Sequence, residues 1–113
     1  MANEPHPLGH AALRILLALA DGERHGYALM QELRVDGLGA ALGPGSLYRN
    51  IHQLVAERLI TESSGASSDS ADERRRYFRL TPAGRRALAA EAGRLSDLVK
   101  RAAAKGIVAP VRR

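Results

Sequence analysis

The apolar residues of the chain fall at helical spacing over most of its length, with one interval where the period shortens to that of a strand. From Leu8 to Ala20, the residues Leu8, Ala12, Ile15, Leu16 and Leu19 line one helical face, while Leu13 and Leu17 make the far side apolar too. A helix apolar on both sides needs cover on both, so the second side calls for another chain or a returning helix. Asp21-Gly22 ends this element. His25-Gly26-Tyr27 opens a second helix with Leu29, Met30 and Leu33 at helical spacing, and Gly37 and Gly39 stop it. Leu42-Gly43-Pro44-Gly45-Ser46 reads as a tight turn into a third helix, because proline is set for a first helical turn and glycine lets the backbone bend sharply.

In the third helix, Leu47, Ile51, Leu54 and Val55 form an inward stripe and leave Ser46, Arg49, Asn50, Gln53 and Glu57 facing outward. Leu59 to Glu62 then reads as a short strand, Ser63 to Asp72 as a polar loop, and Arg76 to Leu80 as a returning strand with Phe78 and Leu80 on one face. Thr81-Pro82 is a strong helix start, since threonine caps free amides and proline fits the first helical position. In the long helix that follows, Leu88, Glu91 or Ala92, Leu95, Leu98 with Val99, and Ala102 recur every three to four residues, a seam suited to another helix. Gly106 and Pro110 mark its end.

The expected class is therefore mainly α (α+β): a winged helix-turn-helix with a two-stranded wing and a long C-terminal dimerisation helix. Residues 1–80 make the winged part and 81–113 the dimerisation helix and tail, both within one compact domain, because 113 residues carry a single core. Leu13, Leu17, Leu88, Leu95, Leu98 and Val99 are the residues expected to join two copies.

Charge sharpens this picture. The formal net charge is +5, which suits a polyanionic partner and also suits plain solubility. Arg74, Arg75, Arg76 and Arg79 cluster at and just before the returning strand with Arg85 and Arg86 beyond, and the nearest carboxylates, Asp72 and Glu73, lie on one side only. A helix with donors on its free face fits the major groove of B-DNA, and a hairpin loop reaches the flanking backbone. Arg49 suits guanine, Asn50 and Gln53 suit adenine, and Ser46 with the amides at the helix start suits a phosphate. Of the three tyrosines, Tyr48 is the one expected to reach the DNA, the others sealing the core edge. An ordinary solvated helix face is the competing reading of these positions.

Three separated segments then carry a resemblance. His25-Gly26-Tyr27-Ala28-Leu29, Leu42-Gly43-Pro44-Gly45-Ser46-Leu47-Tyr48, and Asp72-Glu73-Arg74-Arg75-Arg76-Tyr77-Phe78-Arg79-Leu80-Thr81-Pro82-Ala83-Gly84 resemble the signature segments of the PadR family of transcriptional regulators, over about Leu8 to Leu98. The resemblance implies a repressor, dimeric through its first and last helices, with Ser46, Tyr48 and Arg49 at the DNA-facing start of the recognition helix and wing basic residues on the backbone. Double-stranded DNA and a second copy of the chain are the expected partners, and whether a small-molecule effector releases the DNA is left open. Two features depart from the family pattern: the wing loop is long and serine-rich, and there is no tryptophan. Members that clamp flat molecules between tryptophans are thus a poor guide to an effector site here.

Other chemistries find little footing. With no cysteine, disulfides, thiolate zinc sites and thiol switches are excluded. A cytoplasmic setting without a membrane anchor is expected, because Met1 to Pro7 is not built as a secretory signal and the first apolar run is short and carries Arg14. His6 and His10 are four apart, yet Pro7 lies between them and no third ligand is evident, so no metal is expected. His25 and His52 read as structural or surface histidines. Gly43 to Ser46 lacks the lysine of a nucleotide-binding loop, and no catalytic constellation stands out, so neither a cofactor nor an enzyme is expected. The alternative from another class is a winged-helix protein–protein interaction module without DNA binding.

Overall fold

A computed structural model describes residues 8–35, 44–63 and 76–109 of the chain. Helix α1 spans His10–Ala18 and tightens into a 3-10 turn at Leu19–Asp21. Strand β1 is Arg24–His25, and helices α2 (Gly26–Val35) and α3 (Pro44–Ala56) follow. Strands β2 (Ile60–Ser63) and β3 (Tyr77–Leu80) precede the long helix α4 (Pro82–Ala104). The expected Leu42-Gly43 half of the turn, Gly37, Gly39, most of the Ser63–Asp72 loop, His6, Arg74 and Arg75 lie outside the described residues.

Among the described residues the sheet has three strands in the order β1-β3-β2, one more than the sequence suggests. Strands β2 and β3 pair antiparallel, Ile60 opposite Leu80 and Ser63 opposite Tyr77, which is the expected hairpin. Two residues are too few to carry a period-2 signal, so β1 exists only through its partner: Arg24 pairs with Phe78 and His25 with Tyr77, and the Gly26 amide donates to the Arg76 carbonyl at 3.1 Å. His25 then turns the strand into a helix. Its Nδ1 accepts from the Ala28 amide at 3.2 Å, capping α2, and its ring stands edge-on to Tyr77 at 5.4 Å.

Every element except β1 supplies the core. Ile15, Leu16 and Leu19 meet Leu29 and Leu33 of α2, Leu47, Ile51 and Leu54 of α3, Ile60 and Phe78 of the hairpin, and Leu88 of α4. The inward stripe read for α3 is buried at Leu47, Ile51 and Leu54, with Val55 at its edge. On α1 the face of Ile15 and Leu16 is sealed, Leu13 packs half-buried against the core, and Leu17 is left 60% exposed.

One junction fixes how α3, the hairpin and α4 meet. Helix α3 ends with the Arg58 amide donating to the Val55 carbonyl and the Leu59 amide to the Leu54 carbonyl, at 2.9 and 3.0 Å, a turn that puts Arg58 at φ 64°. Thr81 docks there: its single hydroxyl hydrogen is shared between the Arg58 and Leu59 carbonyls at 2.8 and 3.0 Å, and its oxygen accepts from the Gly84 amide at 2.9 Å. Gly84 lets α4 come this close, because a Cβ at that position would lie 1.9 Å from the Leu59 carbonyl oxygen. The Leu80-Thr81-Pro82-Ala83-Gly84 segment is thus a helix cap and a backbone contact in one.

Candidate nucleic-acid interface

Helix α3 begins at Pro44 and presents its polar residues opposite Leu47, Ile51 and Leu54. Arg49 and Gln53 are exposed, and Ser46 and Asn50 are half-buried. Two of these side chains are tethered within the helix. Asn50 donates through Nδ2 to the Ser46 carbonyl at 2.9 Å, which turns its Oδ1 away from that bond. Gln53 donates through Nε2 to Glu57 at 2.7 Å, an exposed pairing one turn along. Amide heads held this way lose less rotamer freedom when they meet a base edge than free side chains would.

Tyr48 departs from the expectation. Its ring packs against the hydrophobic core and its hydroxyl oxygen is sealed from solvent, so it does not present that oxygen on the outer face beside Arg49. The reason is helical phase: Tyr48 lies one and two turns before Ile51 and Val55, on the shoulder of the inward stripe.

On the wing, Arg76 forms a forked pair with Glu62 across the hairpin, Nε to Oε2 at 3.3 Å and Nη1 to Oε1 at 3.4 Å, with both side chains 42% exposed. An exposed pair of this kind contributes little to stability, so the arginine remains able to exchange partners. Arg79 is exposed, as are Arg85 and Arg86 at the start of α4. Arg85 donates to the Ala20 carbonyl at 3.3 Å, and with Arg79, Asp21 and Glu23 it lines an open cleft of about 470 Å³.

The residues expected to join two copies separate into two groups. Leu95 and Leu98 are exposed on the far half of α4, Leu17 is exposed on α1, and Val99 is half-buried. Leu88 is 9% exposed and belongs to the chain's own core, and Leu13 packs against that core from α1. Among the described residues no group of three His, Asp or Glu is placed to hold a metal, and no helix is long and apolar enough to cross a membrane.

Residues 15–90 match the model of the transcriptional regulator PadR-like family. The chain belongs to that family. Against the transcriptional regulator Rv3488 of Mycobacterium tuberculosis this PadR-like chain is 39% identical over 88 residues, covering 78% of each protein. It is 41% identical over 90 residues to an uncharacterized 37.1 kDa protein in transposon TN4556 of Streptomyces fradiae, covering 78% of this chain and 24% of that longer one. Its fold is similar to that of a PadR family transcription regulator from hypervirulent Clostridium difficile R20291, with a TM-score of 0.68 at 20% identity over 88% of this chain and all of that one. The winged helix-turn-helix read from the sequence is the architecture of this PadR-like regulator, with the long C-terminal helix as α4.

Proposed function

We propose that this PadR-like regulator binds duplex DNA as a two-fold homodimer, laying α3 of each copy in the major groove of a palindromic site and repressing transcription there. The observation that carries the reading is the split of α3 into a buried apolar face and a polar face with Arg49 and Gln53 exposed and Asn50 half-buried at its edge. Ser46 and the free amides of the first turn offer a phosphate site beside them. Arg76 and its neighbours Arg74 and Arg75 add backbone contacts from the wing. The exposed Leu17, Leu95 and Leu98 supply the apolar surface that a second copy covers. Two recognition helices on such a dimer would sit about 34–36 Å apart, one turn of B-DNA. A small molecule held against α1 and α4 would release the DNA by favouring a different tilt between the copies, and for that it must bind the two geometries unequally.

The test is DNA affinity as a function of salt, using a duplex from the region upstream of the chain's own gene. A dimer neutralising roughly six to ten phosphates loses about three to five decades of affinity between about 50 and 200 mM salt. A flat response removes the reading. Arg49→Ala should cost about 1–3 kcal/mol on that duplex and much less on random DNA, as expected of a residue that reads a base edge.

A further inference from the structure

The buried Tyr48 hydroxyl leaves the DNA-facing tyrosine role open, and α2 offers a residue built for it. Tyr27 is 47% exposed at the start of that helix. Its hydroxyl accepts a hydrogen bond from Nε2 of Gln31 at 2.8 Å. A phenolic oxygen has a single hydrogen to give, and accepting from Gln31 leaves that hydrogen directed elsewhere. Gln31 therefore orients the phenol without consuming its donor.

The pair belongs to a longer stripe. Tyr27, Gln31 and Arg34 are all exposed, and at 3.6 residues per turn they share an arc of about 60° that runs about 10 Å along the helix. Leu29 and Leu33 are buried on the opposite side. The one carboxylate of α2, Glu32, lies off the stripe and is tied to Arg24 of β1 at 3.3 Å. The stripe thus reads hydroxyl, amide, guanidinium, with no negative charge along it.

We propose that Tyr27, Gln31 and Arg34 form a phosphate-contact stripe on α2, in which the Tyr27 hydroxyl and the Arg34 guanidinium bond backbone oxygens of the duplex and Gln31 positions the phenol. The proposal rests on the DNA-binding reading above. In a helix-turn-helix the helix before the recognition helix crosses the sugar–phosphate backbone, whose oxygens only accept, so the hydrogens of Tyr27 and Arg34 are what the partner rewards. Backbone contacts carry no base information, so the stripe sets affinity and orientation while α3 reads sequence. A cation in the last turn of α2 also complements the helix dipole; that role moves stability and leaves DNA affinity alone, so the two are separable.

The experiment compares Tyr27→Phe, Gln31→Ala and Arg34→Gln with the unaltered chain on two probes, the upstream duplex and sheared genomic DNA of mixed sequence, with thermal melting as the fold control. Tyr27→Phe should weaken both probes by about a hundredfold for a dimer, about tenfold for each copy's hydrogen bond to a charged acceptor, and leave the salt slope unchanged because no charge is lost. Gln31→Ala should weaken both by less. Arg34→Gln should reduce the steepness of the log–log salt plot by about two for a dimer, one phosphate per copy. Unaltered affinity and slope in Tyr27→Phe and Arg34→Gln, with the parent chain still binding in a salt-dependent way, overturn the stripe and leave the DNA-binding reading standing. Losses confined to the upstream duplex overturn it too, since they make these residues base readers. Absence of binding by the parent chain removes both.

Discussion

Between Pro82 and Glu91, α4 is fastened to the body of the protein: Thr81 caps it, Gly84 rests against the Leu59 carbonyl, Leu88 enters the core, and Glu91 is buried with Arg94 as its partner. Between Ala92 and Ala104 the same helix continues the same repeat with Leu95, Leu98, Val99 and Ala102, yet none of its residues is buried. Leu88 and Leu95 are seven apart and share a face. What differs is the surface opposite that face, which, among the described residues, the near half finds in its own chain and the far half does not. Periodicity identifies which side of a helix is apolar; it does not identify the partner.

That contrast can be attacked at four positions, the first expected to do most harm. Gly84→Ala places a methyl group where the Leu59 carbonyl stands, so α4 must lift from the junction at a cost near the top of the range for overpacking, about 3 kcal/mol. Denaturant unfolding would register it, and a variant as stable as the parent would mean that the Thr81 junction is loose. Leu88→Ala should cost about 2–3 kcal/mol at every protein concentration, as expected for a core leucine at the rim of its cluster. Leu98→Ala makes the opposite statement: the monomer's stability barely changes, while association of two copies weakens by about 1–2 kcal/mol through lost apolar burial. Sedimentation equilibrium separates the pair, because only the Leu98 variant shifts a concentration-dependent mass. Arg58→Gly is the mildest. It relieves a non-glycine residue at φ 64° and should raise stability by about 0.5–1 kcal/mol after the entropy of glycine is counted, visible as a melting temperature a few degrees higher.

These expectations also mark what the sequence disclosed. The Thr81-Pro82 start, the inward stripe of α3 and the pairing of Phe78 and Leu80 on one face were all legible, because each rests on local chemistry or on a period repeated several times. Strand β1 was not, since Arg24 and His25 become a strand only by meeting β3. The cap that His25 provides was hidden for a related reason: histidine is an uncommon cap, and its role depends on a ring orientation that Tyr77 helps to set. The hydroxyl of Tyr48 suggests a DNA contact although its phase with Ile51 and Val55 points to the core edge, whereas Tyr27, expected at the core edge, is exposed. The repeat groups Leu88 with Leu95 because it contains no record of where the body of the protein ends. In each of these cases the missing information is non-local.

The near half of α4 holds the fold, and the far half, with Leu17, is read as joining two copies so that two α3 helices address one duplex. The most direct test of that account is hydroxyl-radical and methylation footprinting of the upstream duplex bound by the unaltered chain. The account predicts two protected major-groove segments on one face of the DNA, about 10–10.5 base pairs apart from centre to centre. A single protected segment at saturation, or two whose spacing places them on opposite faces, would contradict it.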